Sequence, residues 1–274
     1  MRHIRKVLFP LGVVAIVAAC EKDEGPFLAP EESIAYVRYV HAVPDAGPTD
    51  WRPIDAVKNS PPWFGLTYRG FTPYQAMGSG ARHLRIFPTS TDINVTSVPL
   101  IDTTITFNAN TYYTLLWTGF TGSGTPADRV VVIEDAQPTV PAGQVAVRVI
   151  NAGLGLGTVD VFASASGGTS PLPASPLLTG VAAGTVSAYT NQAAGPLALR
   201  LTAAGTRTPV LADVVAPPGQ AADPALNLTE VGGSTRGGSA FTAFLFQRSV
   251  AGSPAPAAFT TPGIVYVIDK NPPR

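Results

Sequence analysis

The sequence predicts an all-β protein of two tandem immunoglobulin-like antiparallel β-sandwiches, and three observations carry that expectation. Charged residues make up 13% of the 274, against about 25% in ordinary soluble domains. The 27 glycines and 27 prolines break the chain into short pieces and argue against long helices. Between those breaks, apolar and polar residues alternate with a period of two, as in half-buried strands, and no segment sustains a helical period.

The elements follow in order. Arg2, Arg5 and Lys6 precede an uncharged run from Val7 to Ala19, the layout of a secretory signal. A membrane span needs about 20 apolar residues, so this run, interrupted by Pro10 and Gly12, is too short to be one. It closes on Val17-Ala18-Ala19-Cys20, which holds the one cysteine of the chain and resembles the lipobox of bacterial lipoproteins. Residues 1–19 are therefore expected to be a signal peptide, with Cys20 as the lipidated residue. Two or three acyl chains, at about 0.8 kcal/mol per buried methylene, anchor stably where one does not. With Cys20 committed to lipid, disulfides cannot contribute to the fold. Residues 20–33, beginning Glu21-Lys22-Asp23-Glu24-Gly25-Pro26, read as a flexible tether.

Strands are expected near 35–41, 63–70, 81–87, 102–107, 111–119 and 129–134. After Pro138 and Pro141 the pattern restarts at 144–151 and continues near 158–163, 177–190, 196–203, 209–215, 225–231 and 240–248, with a C-terminal strand beyond. The restart keeps register. Val37-Arg38-Tyr39-Val40-His41-Ala42 aligns with Val147-Arg148-Val149-Ile150-Asn151-Ala152, and Asp50 with Asp160. A five-residue insertion then brings Tyr74 onto Tyr189 and Gly80 to Arg85 onto Gly195 to Arg200. Two sandwiches are expected, at 34–139 and 140–274. Arg38 and Arg148 lie between inward apolar neighbours and are expected on solvated faces.

The segment YVRYVHAVPDAGPTDW at 36–51 resembles the opening of the domain-of-unknown-function 4397 family. His41, Ala42, Pro44, Asp45, Ala46 and Asp50 match its pattern, while Val43 and Gly47 depart from it. The second copy keeps the skeleton VRVINAGLGLGTVDVF at 147–162. The resemblance implies an extracytoplasmic bacterial module and supplies no catalytic residue.

Chemistry-bearing patterns are scarce. Beyond the signal, the histidines are His41 and His83, with no G-x-S-x-G elbow, so a serine-hydrolase triad is not expected. Two histidines and no Cys pair do not make a zinc site. Asp45 and Asp50 without an acidic Gly-bearing loop fall short of calcium. His41, matched by Asn151, reads as a strand-end residue bonding a turn. Gly153-Leu154-Gly155-Leu156-Gly157 is followed by a strand pattern and reads as a turn, since a phosphate loop opens a helix. No cofactor or metal is expected, and the chain is not expected to be an enzyme. Without Arg2, Arg5 and Lys6 the chain carries 15 cations and 18 anions, which argues against a nucleic-acid binder, whose surface carries a basic patch.

Binding is expected in the first sandwich, which holds all three tryptophans. Trp51, Trp63, Phe64 and Tyr68 are the candidate contacts, with Trp63 and Phe64 after Pro61-Pro62 the most exposed of them. The expected function is that of a structural or protein-interaction lipoprotein of the cell envelope, held at the outer membrane by its lipid. The alternative is a glycan-binding module that uses these aromatics, because such rings stack on sugars as well as anchor protein interfaces.

Overall fold

A computed structural model describes residues 33–55, 62–122, 124–168 and 170–273. Val17, Ala18, Ala19, Cys20 and nearly all of the expected tether lie outside these residues. Ser33–Arg274 forms one compact unit.

Eight strands come first: β1 Ile34–His41, β2 Thr49–Pro53, β3 Trp63–Leu66, β4 Gln75–Gly78, β5 Gly80–Pro88, β6 Ile101–Phe107, β7 Tyr112–Thr118 and β8 Arg129–Glu134. One four-residue helix, α1 Ile93–Thr96, joins β5 to β6. Eight more follow: β9 Gln144–Asn151, β10 Val159–Ser164, β11 Leu178–Val181, β12 Thr190–Ala193, β13 Ala198–Ala203, β14 Ala212–Val215, β15 Ala240–Phe246 and β16 Gly263–Lys270. The fold is thus nearly all β. The sheets run β4-β1-β7-β8 and β3-β2-β5-β6 in the first half, and β12-β9-β15-β16 and β11-β10-β13-β14 in the second. Adding eight to each strand number of the first half reproduces the order of the second.

That order differs from the immunoglobulin constant pattern, whose first, second, fourth and fifth strands share a sheet. Here β1 passes through the turn after His41 into the opposite sheet, and β1 pairs parallel to β7, as β9 does to β15. Strands β2 and β4 escape the alternation rule because they are only five and four residues long, and β2 ends in Pro53. The expected strand at 177–190 holds only β11, which ends at Val181 before the turn at Gly184, whose φ is +76°; β12 begins at the last expected residue, Thr190, and runs to Ala193. The expected strand at 225–231 is a single 3-10 turn, Pro224–Leu226, with isolated bridges.

Alternation on β1 puts Ala35, Val37 and Tyr39 into the first sandwich core, with Trp51, Ile86, Leu115 and Trp117. Val145, Val147 and Val149 of β9 do the same in the second, with Leu199, Leu201 and Phe241. The opposite faces of these two strands are buried as well. Val40 and Leu116 from the first half meet Ile150, Phe244 and Val267 from the second in a third core. Four sheets therefore stack with three apolar layers between them.

Arg38 and Arg148 sit in that third layer, which corrects their expected placement on solvated faces. They are 0% and 3% exposed. Alternation fixes the side of a sheet on which a residue lies, but not what covers that side. Arg38 Nη2 donates to Asp269 Oδ1 at 2.6 Å, and its Nε to Thr114 Oγ1 at 2.7 Å. Reciprocally, Arg148 Nη2 donates to Asp135, and its Nε to Thr242 Oγ1 at 2.7 Å. Each carboxylate also accepts from its own half: Asp135 from Thr114 at 2.6 Å and Tyr74 at 2.8 Å, Asp269 from Thr242 at 2.6 Å and Tyr189 at 2.8 Å. The guanidinium of Arg38 lies 4.6 Å from the Tyr74 ring, and that of Arg148 lies 5.0 Å from Tyr189. Burial pushes both phenols well above their ordinary value, so both remain donors to the carboxylates. Two arginines and two aspartates thus cancel in charge and cross between the sandwiches.

A candidate partner-binding face on the first sandwich

The outer sheet β3-β2-β5-β6 turns one face to solvent. Trp51, Leu84, Ile86 and Ile105 point into the core, so Arg52, His83, Arg85 and Asp102, one residue out of phase with them, point outward. Register places Arg52 opposite Arg85, and Arg85 opposite Asp102. Phe64 projects beside them and is 61% exposed. The Arg52 guanidinium lies 5.5 Å from the Phe64 ring and 4.9 Å from the Phe87 ring, a cation held between two aromatics.

Each charge on this face has a partner. Arg52 Nη2 donates to Asp50 Oδ2 at 2.7 Å, and Asp50 also accepts from Gly65 N at 3.0 Å and Thr89 Oγ1 at 2.5 Å. Partial burial alone would raise the Asp50 carboxyl; the hydrogen bonds from Thr89 and Arg52 outweigh it and hold it below the usual carboxylate value. Asp102 accepts from His83 and, at 2.8 Å, from Arg85 Nε, and these two contacts, His83 first, hold it low as well. The Nη atoms of Arg85 have no acceptor in the described chain, although the side chain is only 38% exposed.

The four expected contact residues separate. Phe64 is on the surface. Trp63 is half-buried, opposite Trp51 in the strand pair and packed on the first core. Trp51 is 0% exposed, stacked on Tyr39 at 4.8 Å, with its Nε1 donating to Thr49 Oγ1 at 3.1 Å. Tyr68 is 1% exposed under Phe246 and Phe259, and its hydroxyl donates to Gln247 O at 2.7 Å. Trp51 and Tyr68 are therefore interior residues, and neither can meet a partner at the surface. Arg52 and Arg85 were not singled out by sequence. The signal for Arg85 was its alignment with Arg200, since an outward arginine kept at one register position in both halves marks a recurring contact.

The other singled-out residues serve turns. His41 Nδ1 accepts from Val43 N at 3.3 Å, and Nε2 donates to Gly47 O at 3.1 Å. Burial lowers its pKa to about 4, so the ring is neutral. Asn151 reproduces both bonds, accepting from Gly153 N at 3.3 Å and donating to Gly157 O at 3.0 Å. Asp45 accepts from Thr121 N at 3.0 Å and Gly122 N at 2.9 Å. Asp160 accepts from Gly180 N and Gly205 N, both at 2.8 Å. Residues 154–156 form a 3-10 turn that leads into β10, so no helix follows the glycines. Among the described residues no group of His, Cys, Asp or Glu could hold a metal ion.

The matched span begins at β1 and ends in β10, and so contains the His41 turn and the whole outer face just described. Residues 35–162 match DUF4397, a domain of unknown function. Over the DUF4397 match the chain resembles that family, and no curated protein matches it. The DUF4397 region takes in Arg52, Phe64, Arg85 and Asp102, whereas the second half lies outside it beyond residue 162.

Proposed function

We propose that the chain is a lipid-anchored, non-catalytic interaction module of the bacterial cell envelope, tethered through Cys20 and held at the outer membrane. The observation that carries the interaction reading is the outer face of the first sandwich, which no other described residues cover. There an exposed phenylalanine and two arginines lie together on a sheet whose other side is a packed core. Arginine and large aromatics dominate the energetics of protein interfaces. Correspondence of strand order and register between the halves supports descent from one duplicated module. The non-catalytic reading is supported by how both histidines are used: His41 ties a turn in the interior, and His83 binds Asp102. Glycan binding is the weaker alternative, since Trp51 and Tyr68 are not available to stack on a sugar.

The anchor is tested by metabolic labelling with palmitate in the native host. Label should be incorporated by the wild type and lost in Cys20→Ala, with the variant released from the membrane fraction. Unchanged labelling would remove the lipoprotein reading.

A further inference from the structure

The two halves differ most at one connection. In the first, β6 and β7 are joined by the short turn Asn108 to Thr111, whereas the equivalent connection from β14 to β15 runs from Ala216 to Ser239. Both lie at the end of the fold where the chain enters it. Asn110 N donates to Ile34 O at 2.7 Å beside the start of β1, and Gly238 N donates to Gln144 O at 2.8 Å at the start of β9. Lys270 Nζ, at the end of β16, donates to Pro138 O at 2.9 Å, just past β8, so the same ends of the two halves meet. At the opposite ends Val250 N donates to Pro44 O at 2.8 Å. The long connection is rooted by Gly195 N donating to Ser234 O and Gly232 N to Asn271 Oδ1, both at 2.8 Å. Beyond that root it is a small hairpin, with Gln220 bridged to Val231 and Asp223 to Leu228. Its tip is the 3-10 turn Pro224–Leu226, capped by Asp223 Oδ1, which accepts from Ala225 N at 3.0 Å and Leu226 N at 3.3 Å. Among the described residues, no hydrogen bond or ion pair joins 221–229 to anything outside the hairpin.

This projecting tip is apolar. Leu226 is 67% exposed, Leu228 41% and Val231 46%. From Gln220 to Thr229 the one charge is Asp223, whose carboxylate the turn itself engages, and no lysine or arginine lies between Ala216 and Thr235. Clustered exposed apolar side chains mark a contact with a protein or a membrane, and the position of the chain entry selects the membrane. Cys20 and Ser33 are 13 positions apart, so a bilayer that holds Cys20 lies within about 45 Å of the start of β1 even when the intervening chain is fully extended. The hairpin stands at that same end. Two leucines bind a bilayer weakly by themselves, but a short tether keeps them near it at an effective concentration on the order of millimolar, which turns a weak contact into a populated one. We propose that Leu226 and Leu228 insert into the bilayer surface as a second, non-covalent contact beside the lipid at Cys20, and so orient the two sandwiches with their hairpin end toward the membrane. The inference rests on the anchor reading above and deepens it.

The test uses the chain from residue 20 onward, its Cys20 thiol coupled to maleimide-bearing phosphatidylethanolamine in vesicles of phosphatidylethanolamine and phosphatidylglycerol that carry a diazirine on an acyl chain. The anchor is then supplied chemically, so the result does not depend on lipidation in the native host, and its failure is distinguishable from a failure of palmitate labelling at Cys20. After illumination, mass spectrometry should find acyl-chain adducts concentrated on residues 224–229. In Leu226→Ser/Leu228→Ser those adducts should fall about tenfold, while the melting temperature stays that of the wild type because both side chains are exposed. Absence of adducts on the hairpin, or equal adducts in the double variant, would overturn the proposal. So would adducts concentrated on Ile93 to Val98 at the opposite end of the strands, since the hairpin end would then face away from the bilayer.

Discussion

Replacing Arg38 by methionine should destabilise both sandwiches, because its charge belongs to neither alone. The wild-type cluster holds two guanidiniums and two carboxylates at 0–4% exposure. Besides the direct Arg38 to Asp269 bond there are cross-contacts of 3.7 Å from Arg38 to Asp135 and 3.9 Å from Arg148 to Asp269. Losing Arg38 leaves two carboxylates facing one guanidinium in an apolar layer. Removing one partner of such a buried pair costs about 3–5 kcal/mol, mostly through the charge left unpaired. Adding Asp269→Asn to Arg38→Met restores neutrality, with Arg148 and Asp135 still paired. The double variant should therefore be more stable than the sum of the singles by about 1–3 kcal/mol. Urea unfolding gives a two-probe assay, because all three tryptophans lie in the first half and report it alone, while far-ultraviolet circular dichroism reports both. In the wild type the two transitions should coincide; in Arg38→Met both should move together to lower urea. A loss under about 1 kcal/mol, additive single effects, or a shift in the tryptophan transition alone would refute the shared-cluster argument.

Acid should act through His41. Its folded pKa of about 4 lies below the ordinary 6.5, so the unfolded chain binds the extra proton first, and stability present above pH 6.5 is lost as pH falls to about 4. The shift corresponds to about 3 kcal/mol. His41→Asn, copying the side chain that makes the same bonds at Asn151, should flatten that part of the stability profile relative to wild type; an unchanged slope would contradict it. Trp51→Ala should cost about 3–5 kcal/mol by emptying the first core, whereas Phe64→Ala should stay within about 1 kcal/mol by thermal unfolding. Equal losses would mean that Phe64 is structural.

Much of the strand layout is legible in the sequence because β1, β5, β7, β9, β13 and β15 carry apolar residues at alternate positions bounded by turn residues. What covers each face is less legible. Val37-Arg38-Tyr39 and Val147-Arg148-Val149 look like strands with one wet side, since an arginine usually snorkels to water. Arg38 donates to Asp269, 231 positions further along, and Arg148 to Asp135, 13 positions back, so each carboxylate belongs to the opposite half from the arginine it meets most closely. No local pattern links them. The aromatic cluster from Trp51 to Tyr68 was legible as a concentration of large rings, but composition cannot divide rings between core and surface. Register divides them: Trp51 is in phase with the inward Ile86, while Tyr68 lies just past β3 beneath the second half's Phe246. The arginines of the candidate face become visible only through register, which turns Arg52 and Arg85 away from the core that Trp51 and Ile86 enter.

The claim that the first outer face meets a partner at the membrane is tested most directly by short-range crosslinking in intact cells of the native host. Wild type is compared with Phe64→Ala/Arg85→Ala and with Cys20→Ala. A discrete adduct with an envelope protein is expected for the wild type, and it should be lost in both variants while their thermal unfolding stays close to wild type. An adduct that persists undiminished when Phe64 and Arg85 are removed would contradict the account.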